Sequence, residues 1–243
     1  MMNFKNNKWS IYSLGDHAIV FALEQKIDAS IVHEITRLSD FIKSKAIIGI
    51  KDIIPSYHTL TLIYDIIQFT SSSKNISDHL IEFGNQMLNE FENIPNSLQI
   101  EIKELISVPV CYELPFALDI NNLSEVNNIP IQEIISIHSA TIYEVYSIGF
   151  LPGFAYMGVV NEKIQMARHS KPRLQVPAGS VGIAGLQTGI YPSNSPGGWQ
   201  IIGRTPWKIF DPNPTILAKF KVGDKIKFYP ISKNDFDKMN LHN

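Results

Sequence analysis

Ten of the 14 glycines and eight of the 14 prolines in this 243-residue chain fall between residues 149 and 214. Inside a helix, glycine costs about 1 kcal/mol and proline about 3 kcal/mol relative to alanine, so this density argues against a helical domain. Short apolar runs at 181–184, 199–202, 207–210 and 225–229 are separated by turn residues. The pattern predicts a compact, mainly-β barrel with elaborate loops. Upstream, TIYEVYSIGF (141–150) is rich in β-branched and aromatic residues and reads as a strand. Two short helical pieces precede it, at 119–127 and 130–138, with Pro130 suited to a first helical position. Two strand-like runs flank Pro109 within 100–112.

The first part of the chain has another texture. Ile31, Ile35, Leu38 and Ile42 recur at helical spacing, and Val32 and Phe41 widen the stripe. Leu80, Gly84, Met87, Leu88 and Phe91 mark a second helix, with Ser77 as its N-cap. Strands are expected at 18–23, 46–54 and 59–64, the last alternating with period two, and a polar loop at 70–75. The order strand, helix, strand, strand, helix predicts a small α+β domain. The break NIPNS (93–97) sets the expected boundary: 1–95 a small α+β domain, 96–243 the β-barrel domain.

Composition narrows the function classes. Hydrophobic residues make up 44%, enough for a core. The formal charge of −2 leaves no basic excess to neutralise phosphates, so no nucleic-acid partner is expected. The single cysteine, Cys111, permits no intrachain disulfide and fits a reducing compartment. In VPVCY it reads as an inert core thiol. No leader pattern opens the chain and no apolar run approaches a membrane span, so a cytoplasmic protein without a membrane partner is expected.

Several familiar constellations are missing. His33-Glu34 starts an HExx pattern, but Arg37 stands where the second histidine of a zinc protease belongs. The sequence has no CxxC, no GxxxxGK[ST] phosphate loop and no GxGxxG, and Ser180 lies in AGSVG, not GxSxG. No metal site is expected, and any nucleotide site is of another kind or belongs to a partner chain.

What remains is a polar constellation in the loop region: Arg168, His169, Lys171 and Arg173, then Gln187, Thr188 and Tyr191, then Arg204. Gly179, Gly182 and Gly185 let backbone approach a ligand and let N–H groups converge on an oxyanion. A cation with backbone donors and a carboxamide suits a small carboxylate- or amide-bearing substrate. The opposing reading is that the glycines close barrel turns and the basic residues are solvated. His138 lies in register with Ile131, Ile134 and Ile135, and reads either as a buried, hydrogen-bonded histidine or as one that moves protons. Trp199, after Pro196-Gly197-Gly198, is a packed barrel residue or a pocket wall.

Three long segments carry a family resemblance: HSATIYEVYSIGFLPGFAYMG (138–158), KPRLQVPAGSVGIAGLQTGIYP (171–192) and SPGGWQIIGRTPWKIFDP (195–212). Weaker matches are GDHAIVF (15–21), Ile27-Asp28, IPSYHTLTLIYD (54–65) and VPVCY (108–112). Together they resemble the KipI-type family, also named allophanate hydrolase subunit 1 or the B subunit of 5-oxoprolinase. Two departures stand out. ELPFALD (113–119) replaces a Gly-Gly-Glu-Phe-Gly-Pro-Asp-like run, and Ala155 replaces the usual proline after Gly-Phe.

The resemblance implies an α+β N-terminal domain and a cyclophilin-like barrel, a KipA-type partner and a LamB/YcsF-type partner. It also implies ATP (with Mg2+) at the level of the complex, and opening of 5-oxo-L-proline to L-glutamate by a chain inactive alone. Other members of the family imply two alternatives, regulation of a sensor histidine kinase or an accessory role in urea and allophanate hydrolysis. Prolyl isomerisation would rest on fold analogy alone. For the lactam reaction, Arg173 or Arg204 is expected to clamp the carboxylate, with Arg168 as a further substrate contact. Gln187 and the backbone around Gly179, Gly182 and Gly185 are expected to donate hydrogen bonds, and His138 or Tyr191 to assist proton transfer.

Overall fold

The computed structural model describes residues 4–5, 8–69, 76–95, 105–213 and 218–241. The predicted loop at 70–75, residues 100–104, Pro214 and the side chain of Ser77 lie outside what is described. The chain divides into two compact units, Met1–Ile102 and Lys103–Asn243.

The first unit holds β1 (Phe4–Lys5), β2 (Ser10–Ser13), β3 (Ala18–Ala22), α1 (Ala29–Ser44), β4 (Ile50–Ser56), β5 (Thr59–Tyr64), α2 (Ile66–Phe69) and α3 (Ile76–Glu92). The strands form one antiparallel sheet in the order β1-β2-β3-β5-β4. Asp28 caps α1, its carboxylate accepting from the Ser30 amide at 2.9 Å. The predicted stripes are core: Ile35, Leu38, Phe41 and Ile42 of α1 meet Leu80, Leu88 and Phe91 of α3 over Leu60 and Leu62. A Cβ on Gly84 would stand 2.9 Å from the Ile19 side chain, so α3 needs a glycine where it crosses the sheet. The strand expected at 46–54 starts later and runs through Pro55. That is tolerated because β4 is an edge strand, where a missing N–H breaks no inner ladder.

The second unit contains β6 (Leu105–Val110), α4 (Ile120–Asn127), α5 (Ile131–Ala140), β7 (Ile142–Ile148), β8 (Ala155–Gly158), β9 (Arg173–Val176), β10 (Ser180–Ala184), β11 (Gln187–Ile190), β12 (Ser195–Gly197), β13 (Gln200–Arg204), β14 (Lys225–Pro230) and α6 (Lys233–Asn240). Seven strands make a mixed sheet in the order β13-β10-β11-β8-β7-β14-β6, with β6 and β14 parallel. Its two edges meet: Cys111 N–H donates to Arg204 O at 2.8 Å, and Arg204 N–H to Cys111 O at 2.9 Å. The sheet is therefore nearly closed and barrel-like. β9 and β12 form a separate two-stranded ribbon.

Two expectations need correction. The apolar run 207–210 forms no strand, only an isolated bridge from Phe210 to Ala218. The two runs flanking Pro109 are one edge strand passing through the proline. Among the described residues no helix is long and apolar enough to cross a membrane.

The barrel-like sheet has two apolar faces. Inside lie Val108, Val145, Val181, Ile183, Ile190, Ile202 and Phe228. On the outside a smaller cluster gathers Phe154, Val176, Tyr191, Trp199 and Ile201. Alternation along the strands makes this split: Ile183 and Ile190 point in, while Gly182 and Gly189, their neighbours, face the outer cluster.

Candidate functional site

The outer cluster is possible because glycine replaces bulk at its base. A Cβ on Gly182 would stand 3.1 Å from Trp199 Cβ, and one on Gly189 3.1 Å from both Phe154 and Trp199 ring atoms. On Gly197 it would fall 2.7 Å from the Tyr191 ring. The rings settle edge-to-face over these gaps. Phe154 meets Tyr191 and Trp199 at 5.3 Å each, and Tyr156 at 4.8 Å.

Above this aromatic floor is a hollow of about 570 Å3, within the usual range for small-molecule sites. Its wall includes Phe150, Tyr156, Arg168, Gly185, Gln187, Tyr191 and Trp199. Gly185 opens the two-residue β10–β11 hairpin at φ +58°. The segment carrying Arg168 is tied down on both sides of it. Gln200 Nε2 donates to Ala167 O at 2.8 Å, and His169 N–H donates to Gly198 O at 2.7 Å. Burial pushes the phenols of Tyr191 and Tyr156 up, and the nearby Arg168 charge pulls both the other way. Both phenols thus stay protonated near neutrality.

Of the residues singled out from sequence, Arg168, Gly185, Gln187, Tyr191 and Trp199 share this hollow. The others sit elsewhere. His138 is 0% exposed in the barrel interior. Its Nδ1 lies 2.8 Å from the Tyr112 hydroxyl and its Nε2 3.0 Å from Thr188 Oγ1, which donates to Gly182 O. It stacks on Phe228 at 4.7 Å. Burial lowers its pKa to about 3, so it is neutral and sealed off. Its expected role in proton transfer does not fit that place; it is a core histidine.

Arg173 is held by Asp119, with His169 Nε2 3.0 Å from its Nη1. Arg204 donates from Nε to Ala178 O at 2.7 Å, and its guanidinium lies 5.9 Å from the Phe116 and Phe236 rings, where burial lowers its pKa. These two are committed to the frame, not to the hollow, contrary to the expected carboxylate clamp. Gly179, at φ +80°, lets the chain pass Thr205 O, which a Cβ would approach to 2.5 Å. Gly182 is spacing under Trp199.

Asp119 is the residue that sequence motifs left unmarked. Only 4% exposed, it accepts the Ile201 amide at 2.6 Å and the Arg173 guanidinium, with His169 at 3.3 Å. It thereby fastens the Arg-rich rim to β13. The one signal was that ELPFALD keeps the phenylalanine and the final aspartate of a run from which its other residues depart. No cluster of three or more His, Cys, Asp or Glu suited to a metal ion occurs among the described residues.

The family model for the carboxyltransferase domain, subdomain C and D, matches residues 9–218. The chain is 33% identical over 230 residues to the 5-oxoprolinase B subunit of Bacillus subtilis, covering 94% of this chain and 95% of that one. It is 32% identical over 220 residues to the same-named protein of Escherichia coli O157:H7, covering 90% and 94%. A shorter match, 37% over 81 residues, covers 30% of this chain and 4% of urea amidolyase from Saccharomyces cerevisiae.

Among solved structures, TTHA0988 superposes with a TM-score of 0.72 at 24% identity, over 88% of this chain and 39% of that one, so this chain spans about two fifths of it. PH0987 from Pyrococcus horikoshii is 35% identical, with a TM-score of 0.53 over 93% and 99%. The urea amidolyase of K. lactis shares the fold, with a TM-score of 0.73 at 17% identity over 100% of this chain and 16% of that one. With one-third identity running nearly end to end along two proteins of that name, the chain belongs to the family of 5-oxoprolinase B subunits, within the carboxyltransferase subdomain C and D proteins.

Proposed function

We propose that this chain is the B subunit of a cytoplasmic, ATP-dependent 5-oxoprolinase. In this reading it opens 5-oxo-L-proline to L-glutamate together with a KipA-type and a LamB/YcsF-type subunit, and is inactive alone. The barrel-like sheet is read as the cyclophilin-like barrel of that family. The observation that carries the reading at this site is one hollow in which a cation, a carboxamide and two phenols surround an aromatic floor.

5-Oxoproline is an unstrained lactam bearing a carboxylate. Water attacks such an amide slowly. Phosphorylation of the amide oxygen by ATP gives an activated carbon to which water adds; the ring C–N bond then breaks, the nitrogen taking a proton, and a second water releases phosphate from the resulting acyl phosphate to leave glutamate. The complex is assigned that phosphoryl chemistry. This chain is assigned binding and orientation. Arg168 anchors the carboxylate, because Arg173 and Arg204 are engaged elsewhere. Gln187 donates from its carboxamide to the oxygen of the bound lactam and orients it. Tyr191 and Tyr156, kept protonated by burial, donate and do not abstract protons. With His138 sealed in the core, the base that activates water is expected from another chain, which supports inactivity in isolation.

The urea amidolyase match supports a second reading, an accessory role in urea or allophanate hydrolysis. Reconstitution with both partner subunits separates the two. ATP turnover is expected with 5-oxoproline and not with urea or allophanate; turnover with urea or allophanate alone overturns the first reading.

A further inference from the structure

The loop between β7 and β8 holds a residue whose backbone and side chain are both placed against ordinary preference. Leu151-Pro152-Gly153-Phe154 is a tight turn in which Phe154 N–H donates to Leu151 O at 2.9 Å. Pro152 in second place and Gly153 at φ +81° in third match a type II turn. Gly149 N–H donates to Phe154 O at 3.0 Å and closes the loop base. Between these sits Phe150 at φ +69°, spanned by a hydrogen bond from Leu151 N–H to Gly149 O at 2.9 Å. That is a three-residue turn of the positive-φ kind, rare and strained for a residue with a bulky side chain.

A glycine or asparagine would relax this position. Core packing does not repay the strain either, since Phe150 is 62% exposed. Its ring meets Phe154 edge-on at 5.7 Å and forms part of the hollow's wall. Strain held at a site's rim, without burial to offset it, points to a role toward a ligand.

We infer that Phe150 is a specificity-determining residue of the hollow, covering the flat face of a small ring-shaped carboxylic acid. Arg168 and Gln187 hold the polar end of that ligand. Its ring lies between Phe150 and the Tyr156 and Trp199 rings, which stand 5.9 Å apart. The inference rests on the hollow being the lactam site.

The test compares wild type, Phe150→Gly and Phe150→Tyr in the assembled complex. Phe150→Gly relieves the backbone and removes the ring. Its unfolding temperature is expected to stay level or rise, while KM for 5-oxoproline rises about 2- to 12-fold, the range of one aromatic contact, with kcat changing less. Phe150→Tyr is expected to restore KM. An unchanged KM, or failure of Phe150→Gly to assemble with the partner subunits, overturns the inference; the latter makes Phe150 a docking residue. Saturation-transfer NMR of 5-oxoproline on the complex without ATP decides the point independently of turnover. Weaker transfer in Phe150→Gly supports the inference, and equal transfer, or none to wild type, contradicts it. A wild-type complex that binds 5-oxoproline but shows no lactam-dependent turnover counts against the functional reading instead.

Discussion

Gln187 and Thr188 are neighbours on β11, yet Thr188 lies in the sealed interior against His138 while Gln187 lines the outer hollow. The interior polar groups are buried and paired with one another: Tyr112, His138, Thr188 and Gly182 O form one chain of hydrogen bonds among aromatic rings. The outer group has a cation, a carboxamide and phenols set around open space. One strand thus supplies a structural network and a candidate binding site, and pleat direction alone decides which residue joins which. A histidine is no guide to chemistry in such a fold unless its face is known.

That contrast can be broken in four ways. The largest effect is expected from Arg168→Ala or Gln187→Ala: lactam-dependent ATP turnover in the assembled complex should fall on the order of 10²–10³-fold. For Arg168→Ala, at an exposed position, stability should stay within about 0.5 kcal/mol. Denaturant melts beside turnover assays check both.

His138→Ala should do the reverse. It empties a buried site, takes from the Tyr112 hydroxyl its imidazole partner and leaves Thr188 with Gly182 O alone, so the chain should lose about 3 kcal/mol in urea unfolding. Turnover per folded complex should hold. Gly197→Ala comes next. Its new methyl meets the Tyr191 ring, and overpacking of that kind costs about 2 kcal/mol. If Tyr191 shifts into the hollow to make room, binding of 5-oxoproline should weaken in the same variant, as calorimetry would register.

The last effect is a slope. His138 folds with its pKa lowered to about 3, against a usual value near 6.5. The unfolded chain therefore takes up the extra proton as pH falls below about 6.5. Stability from this group is complete above that pH and is lost between there and about pH 3, at about 1.4 kcal/mol per pH unit. Unfolding free energies of wild type and His138→Gln at pH 7 and pH 5 should diverge in slope accordingly, with the variant flatter.

Much of this arrangement was legible in the residues. The Gly/Pro-dense stretch announced strands and tight loops, and β10, β13 and β14 fall where short apolar runs stood. The helical stripe of α1 and the alternation of β5 also hold. What sequence could not settle was which side chains share a face. Arg168, Arg173 and Arg204 look alike in a string, but Asp119, 54 residues before Arg173, claims one, and the barrel seam claims another. Gly182 looked like a ligand-approach glycine or a turn closer, and the use of Gly182, Gly189 and Gly197 as space for aromatic rings appears only when distant strands are paired. β9 and β12 were missed because a two-stranded ribbon of three or four residues per strand leaves almost no periodicity to read.

The most direct trial is a crystal structure of the assembled complex with 5-oxoproline bound. The ligand is expected over Trp199, its carboxylate within hydrogen-bond distance of Arg168 and its lactam oxygen toward Gln187. Ligand seated elsewhere, with the hollow filled by a partner's side chains, would contradict the assignment.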